Sequence, residues 1–381
     1  MSEVVIARLA SISTTRLPGL PDLEVGLQPM TALIGPRGSG KSRLLAAVSW
    51  LLSGAPDLVG EPPRPLVTAE LDDAGRIRTI SRGQAVFPDE PLPDVVFLAA
   101  RDRLPPAPDG SAVSGSDAAS AEAMVAAVAE RRLSGVEGEV LLIEEPELML
   151  TPHQQRHFYG LLRRYAERNQ VIYSTRSPAL LDAVHYHEII RLDLNQDGMA
   201  ARRAHPDLMT DEQRLRLQAE FDRERTEMFF ATAVVLVEGQ TERLSLPLMF
   251  RRLGHDPDAL GISITEVGGK GNLPLIARVL GELGIPHVIV YDSDRGRAAE
   301  RENAALRLAV DGAPAFALHP DFEAVAGIRD RDDKVLAAWK RFSAISPGKI
   351  PPVFGQIVET AVRLANEGRR GYPTSSTGDG T

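Results

Sequence analysis

The sequence predicts an α/β chain made of two successive alternating units, each with a parallel sheet. Three observations predict it. The run Gly35-Pro36-Arg37-Gly38-Ser39-Gly40-Lys41-Ser42 matches G-x-x-x-x-G-K-[ST] in full, between an apolar strand at Met30–Ile34 and a helical segment at 41–52. Apolar runs at 94–99, 140–143 and 171–174 then alternate with helical segments at 118–132 and 152–168. A further apolar run, Ala233–Val237, restarts the alternation: a helix reaches to about residue 253 and another strand follows at 287–291.

Residues 1–30 read as short strands and turns leading into the first buried strand. Two stretches, 54–65 and 104–117, are rich in proline, glycine, serine and aspartate and are expected to be loops. Residues 210–230 are charged and helical and read as a connector, and the tail from 369 has the composition of a disordered segment. The expected division is a nucleotide-binding unit at 1–200, a connector at 201–232, a second α/β unit at 233–365 and a tail at 366–381.

Composition excludes several classes. At 43% hydrophobic and 25% charged, 381 residues can bury two cores. No apolar run approaches the roughly 18 residues of a membrane span, and the first residues lack the basic-then-apolar pattern of a signal peptide. With no cysteine there is no disulfide and no thiolate metal site. A cytoplasmic location without membrane contact is expected. The net charge of −9 does not exclude nucleic acid, because phosphate contacts depend on local patches and metal-holding carboxylates lower the total. Only five of the 43 basic residues are lysines (Lys41, Lys270, Lys334, Lys340 and Lys349), so each lysine is worth attention.

In the first motif, Gly35, Arg37, Gly38 and Gly40 let backbone N–H groups close around phosphate, with the following helix dipole adding to the attraction. Lys41 is expected at the β- and γ-phosphates and the Ser42 hydroxyl on Mg²⁺, which makes ATP the expected cofactor. Val140-Leu141-Leu142-Ile143-Glu144-Glu145 places two acids at the carboxyl end of a buried strand. Glu144 takes the magnesium-side role, and Glu145 orients and deprotonates the attacking water. Further on, Glu238 ends the strand Ala233–Val237 and Glu242 lies in the first helical turn after it. Asp292 and Asp294 end the strand at 287–291, and as alternate residues are expected to project together. Four carboxylates in one cleft repel unless divalent metal, Mg²⁺ or Mn²⁺, neutralises them. His153 and His157 read as helix-surface residues, and His185 and His187 have no evident partners.

Two stretches carry a family resemblance. Glu144-Glu145-Pro146-Glu147-Leu148-Met149-Leu150-Thr151-Pro152 and Tyr173-Ser174-Thr175-Arg176-Ser177-Pro178 resemble the EEPE-x-x-LHP and S-T-H-S-P segments of ABC-type ATPases of the OLD (overcoming lysogenisation defect) nuclease family and its RecF/SMC-like relatives. Arg176 stands where the family has its switch histidine, and no clear ABC signature is present; the best candidate is residues 114–120. Val237-Glu238-Gly239-Gln240-Thr241-Glu242 with Asp292-Ser293-Asp294 resembles the TOPRIM domain of the same family. Gly268-Gly269-Lys270-Gly271-Asn272 falls where TOPRIM domains often carry a glycine-rich loop. The resemblance implies that Pro320-Asp321-Phe322-Glu323 contributes Glu323 to the metal site and that Lys349 stabilises the transition state.

As a whole the chain resembles an OLD-family nuclease: an ABC-type P-loop ATPase head followed by a Rossmann-like TOPRIM domain. The resemblance implies homodimerisation through the heads and phosphodiester cleavage with two metal ions. It also implies a DNA substrate, a place in phage defence or DNA processing, and an accessory defence or repair protein as a possible partner. Two alternatives stay open: an ATP-switched, RecF-like DNA clamp with a non-catalytic TOPRIM module, and a ribonuclease acting on tRNA or other RNA. The absent zinc ribbon argues against a primase, and the lack of room for a strand-passage domain against a topoisomerase.

Overall fold

In the computed structural model of the chain, residues 7–54, 66–73, 75–83, 92–100, 116–148, 150–195, 198–220, 223–310, 312–329 and 333–369 are described. They form two compact units, Met1–Arg203 and Ala204–Thr381. The charged segment expected to be a connector falls in the second unit. Most of the expected loops at 54–65 and 104–117 lies outside the described residues. So does the tail beyond residue 369; its first residues, 366–369, are the last turn of a helix and not irregular.

The first unit contains β1 (Arg8–Thr15), β2 (Leu23–Gly26), β3 (Met30–Ile34), α1 (Lys41–Ser53), β4 (Leu66–Asp73), β5 (Arg76–Gly83) and β6 (Val95–Leu98). They are followed by α2 (Ser116–Leu133), β7 (Val140–Glu144), α3 (Pro152–Ala166), β8 (Gln170–Ser174), β9 (Ile189–Asn195) and β10 (Gly198–Arg203). Its main sheet runs β10-β9-β3-β8-β7-β6, parallel except for the β9–β10 hairpin. The four expected strands lie side by side, β3-β8-β7-β6, because each is apolar on both faces; every residue of β3 and of β8 is buried.

A second, antiparallel sheet of order β2-β1-β4-β5 was not expected from the sequence. Its β4 alternates inward Val67, Ala69 and Leu71 with outward polar residues. Asp72 Oδ1 accepts from the Gly75 N–H at 2.8 Å, closing the turn into β5. Helix α1 touches both sheets and buries Leu44, Leu45, Val48 and Leu51. Helix α3 has a full capping box, Thr151 with Gln154, and Pro152 in its first turn, which fixes where it begins.

The second unit contains α4 (Asp211–Glu220), β11 (Ala233–Val237), α5 (Gln240–Arg252), α6 (Pro257–Leu260), β12 (Ile262–Glu266), α7 (Leu273–Glu282) and β13 (His287–Asp292). Then come α8 (Arg297–Ala309), β14 (Ala315–Leu318), α9 (Phe322–Ala326), α10 (Lys334–Ala344) and α11 (Pro352–Arg369). Its sheet is fully parallel, ordered β12-β11-β13-β14. The chain leaves β11 for β12 on one side and returns to β13 on the other. A crevice therefore opens beyond the carboxyl ends of β11 and β13, where the strand order reverses.

Helix α7 packs on β11 and β13, while α5, α10 and α11 share the other apolar cluster with the strands. Phe322, Phe342 and Phe354 meet there with ring centroids 5.4–6.3 Å apart. All three are fully buried, each contributing roughly 1.5–3 kcal/mol by leaving water. This packing holds the short helix α9 at the edge of the crevice. Among the described residues no helix is long and apolar enough to cross a membrane.

Candidate functional site

The phosphate loop lies between the carboxyl end of β3 and the first turn of α1. Gly35, Gly38 and Gly40 have φ of 137°, 83° and 86°. A Cβ at Gly35 would stand 2.1 Å from the Leu192 carbonyl oxygen, so only glycine fits, whereas Gly38 faces open space. The Lys41 ammonium donates to the carbonyl oxygens of Gly35 and Pro36, each at 2.7 Å. Burial first, then the charge of Arg176, lowers Lys41 to about 8, with Glu145, Glu147 and Glu144 opposing. Two cations and three carboxylates thus surround the cradle. Arg37 and Ser42 are exposed at its mouth.

Glu144 ends β7, and its Oε2 accepts from the Ala100 N–H at 3.0 Å. Glu145 has left the strand: its φ is +45°, and its carboxylate pairs with the Arg176 guanidinium at 2.9 Å. A non-glycine residue in left-handed geometry is strained, and such strain concentrates at working sites. Glu147 binds the switch segment. It accepts from the Arg176 N–H at 2.7 Å and the Thr175 hydroxyl at 2.9 Å, and burial raises its carboxyl. Sequence reasoning quoted Glu147 without giving it a role; the E-E-P-E spacing was the signal.

In the second unit, Glu238 follows β11 and accepts from the Asp292 N–H at 2.7 Å. Asp292 ends β13 and accepts from the Phe322 N–H at 2.8 Å, which joins it to α9. Glu242 in the first turn of α5 and Glu323 in the first turn of α9 are both 7% exposed. Desolvation, and after it the charges of Glu242 and Glu238, push Asp292 up to about 8. Glu238 rises to about 7, again from burial first, with the Asp292 N–H and the Lys270 charge opposing and Glu242 and Asp294 adding repulsion. Glu242 is raised by burial and by Glu323. Mutual repulsion of this kind fits a set of side chains whose partner is a divalent cation.

Asp294 departs from the expectation that it would share a face with Asp292. The strand ends at Asp292, and Asp294 sits in left-handed geometry (φ 50°) with its N–H donated to the Pro320 carbonyl oxygen. Its carboxylate is 2.6 Å from the Lys270 ammonium. Glu323 is likewise paired, with Lys334 at 2.7 Å. No three of the acids have ligand atoms all within 4.8 Å of one another; among the described residues only His185, His187 and Glu188 do, and there Arg163 already holds the Glu188 carboxylate at 2.6 Å. The acid set is therefore more open than the sequence suggested, because like charges spread and two lysines draw Asp294 and Glu323 aside. Lys349 is exposed on the 3-10 turn Pro347–Lys349, and among the described residues no ion pair ties it to the acids. Lys270 and Lys334 were missed as site residues; the scarcity of lysine was the signal that could have found them.

Fold and sites together point to the class: a P-loop nucleotide-binding domain followed by a TOPRIM domain. The second domain is of the OLD-like kind. A family model described as "Overcoming lysogenization defect protein-like, TOPRIM domain" matches residues 229–294. An AAA-domain model named for the AbiEii toxin of Type IV toxin–antitoxin systems matches 119–182, from α2 through β8. The OLD nuclease of Thermus scotoductus (strain ATCC 700910 / SA-01) is 30% identical over 245 residues, covering 58% of this chain and 46% of that protein. The Old nuclease of Escherichia phage P2 is 29% identical over 161 residues, 41% of this chain and 28% of that protein. The matches thus span less than half the length of these curated relatives. The C-terminal region of the Xanthomonas campestris pv. campestris OLD protein aligns with a TM-score of 0.31 at 21% identity, over 38% of this chain and all of that one.

Proposed function

We propose that this chain binds and hydrolyses ATP and cuts phosphodiester bonds of nucleic acid, DNA in the first place, using divalent metal held in its TOPRIM domain. One observation carries the reading. Glu238, Glu242, Asp292 and Glu323 come from three separate stretches of sequence to the crevice beyond β11 and β13, and burial with mutual repulsion raises Glu238 to about 7 and Asp292 to about 8. A surface built for a neutral ligand would not bury acids together, because each pays desolvation without a compensating charge.

The chain's own residues do the holding. Glu238, Glu242, Asp292 and Glu323, with Asp294 at the rim, present carboxylate oxygens of the hard type that Mg²⁺ or Mn²⁺ takes. When bound, such an ion neutralises phosphodiester charge and makes water acidic enough to supply the nucleophile. The N–H groups of Asp292 and Phe322 fix the Glu238 and Asp292 carboxylates in place. In the head, Lys41 exchanges its two carbonyl partners for phosphate, Glu144 and Ser42 serve Mg²⁺, and Glu145 accepts a proton from water. Two copies joined through their heads around ATP, in the cytoplasm, are the working form we infer. Phage defence or DNA processing is the setting.

The test is cleavage of supercoiled plasmid, single-stranded DNA and tRNA with Mg²⁺ or Mn²⁺, with and without ATP, for wild type and the Asp292→Ala/Asp294→Ala variant. Metal-dependent cutting that the variant loses is the expected outcome, and the preferred substrate separates deoxyribonuclease from ribonuclease. ATP-dependent DNA binding with no cutting of any substrate would sink the nuclease and leave a DNA clamp.

A further inference from the structure

The acids of the TOPRIM crevice repel a phosphodiester strand, so affinity for nucleic acid has to come from the surroundings of the crevice. The scarce lysines gather at one place beside it. Three of the chain's five, Lys334, Lys340 and Lys349, fall between residues 334 and 349, and one of the two tryptophans, Trp339, stands among them. Between residues 333 and 352 the only acid is Asp333, set against those lysines and Arg341. Asp333 is spent on the helix itself: its Oδ1 accepts from the Leu336 N–H at 3.0 Å and caps α10.

Helix α10 is fixed to the rim of the crevice. Its Phe342 packs against Phe322 with ring centroids 6.3 Å apart, and Phe322 donates its N–H to Asp292. Lys334 and Arg341 lie on the side toward α9. The Lys334 ammonium is 2.7 Å from Glu323, and a Cβ at Gly327, which ends α9, would meet the Arg341 guanidinium at 3.1 Å. Leu336, Trp339 and Lys340 are spaced three and four positions apart and share the outer face. Leu336 and Trp339 are 44% and 48% exposed, and Lys340 is exposed beside them. Trp50, the other tryptophan, is buried in α1.

Resting on the nucleic-acid reading above, we propose that α10 is a docking surface for single-stranded nucleic acid. Trp339 stacks on an unpaired base, and Lys340 and Arg341 pair with phosphates as the strand crosses the helix toward the crevice. Three features select that partner. A tryptophan ring offers a platform that any unpaired base fits, whereas the bases of a duplex are already stacked. Cations beside the ring complement a polyanion, in a chain whose net charge is −9. Lysine is depleted in protein–protein interfaces, which argues against a protein partner for a tryptophan in this company. A helix is about 10–12 Å across, so a strand held on the outer face reaches the α9 side within a few nucleotides.

The test is binding by the nucleotide-free full chain in EDTA, so that neither metal nor cutting enters. Oligothymidylate should quench the tryptophan fluorescence of wild type, and a duplex of the same length should bind at least about tenfold more weakly. By anisotropy of fluorescein-labelled oligothymidylate, Trp339→Ala should weaken binding roughly 5- to 100-fold, while Trp339→Phe should hold it within about threefold. Lys340→Ala/Arg341→Ala should flatten the slope of log affinity against log salt by about 1.4. Unchanged affinity in Trp339→Ala, or equal binding of duplex and single strand, would overturn the assignment. Unchanged affinity with altered sedimentation of Trp339→Ala would give the face to a protein contact instead. Cutting with Mn²⁺ but no quenching by oligothymidylate would overturn the docking surface and leave the nuclease reading intact. Binding through Trp339 with no cutting of any substrate would do the reverse, leaving α10 as the surface of a clamp.

Discussion

The two candidate sites are built from opposite materials. The head site is a contiguous loop in which backbone N–H groups and the cations Lys41 and Arg176 await an anion, with the carboxylates Glu144, Glu145 and Glu147 at its edge. The TOPRIM crevice collects carboxylates from residues 238–242, 292–294 and 323, and its two lysines occupy the margins. The first is complete in charge without a metal. The second is not, and its raised carboxyls record the deficit. A site for a polyanion can be encoded in eight residues, whereas a site for a hard cation needs acids that only a fold can gather.

The sharpest way to break this contrast is Glu145→Gln. If Glu145 is the base of the head, ATP turnover should fall roughly 10²- to 10⁴-fold while ATP affinity is kept, read by phosphate release beside equilibrium binding. Unchanged turnover would mean that the strained, Arg176-paired Glu145 is a structural feature only. Next in size is Lys41→Ala, which removes charge-assisted bonds to phosphate. Binding of a fluorescent ATP analogue should weaken roughly 10- to 100-fold. An unaltered affinity would take the phosphate loop out of nucleotide binding.

The metal deficit predicts an opposite pH response with and without Mn²⁺. Glu238 and Asp292 have folded values of about 7 and about 8, above their ordinary range, and Glu188 is raised to about 7 by its own burial. A raised folded value contributes stability that is fully present below the unfolded value and is lost as pH rises through the folded one. The metal-free chain should therefore lose thermal stability between about pH 5 and pH 8. Mn²⁺ should restore more of it at pH 8 than at pH 5, because the acids must be deprotonated to bind. A melting temperature whose Mn²⁺ increment is flat across that range would remove the crevice from metal binding. The smallest effect is expected from Thr151→Ala, which deletes the α3 cap and should cost about 1 kcal/mol in denaturant unfolding. A cost near zero would show that α3 is held by packing alone.

Much of the fold was legible because its signals are local. Strands β3, β7, β8, β11 and β13 are apolar runs that end in a motif, and the glycines at 35, 38 and 40 announce their backbone geometry. The antiparallel sheet escaped because β4 alternates polar and apolar residues over a short span, β5 is mostly polar with Ile80 its one buried large apolar residue, and neither carries a motif. The Asp72–Gly75 turn was the available sign. Strands β9 and β10 escaped for a similar reason: they extend a sheet whose chemistry ends at β8.

The candidate site divides along the same line. Glu238 and Glu242 were readable because they follow the end of β11 within a few residues, and Asp292 because it ends β13. The partnership of Lys270 with Asp294 was not, since it joins a glycine-rich turn to a left-handed residue 24 positions later. The same holds for Lys334 against Glu323 and for the Glu147 carboxylate binding the segment at 175–176.

By itself, the sequence determined that there would be two α/β units, a phosphate loop with an acidic pair, and acids at the ends of two strands. These are consequences of hydrophobic periodicity and of backbone geometry within a few residues. Only the tertiary structure decided which acids remain uncompensated and which are already paired. Coulomb energy and desolvation depend on distances between residues far apart in the chain, and only the folded packing sets those distances.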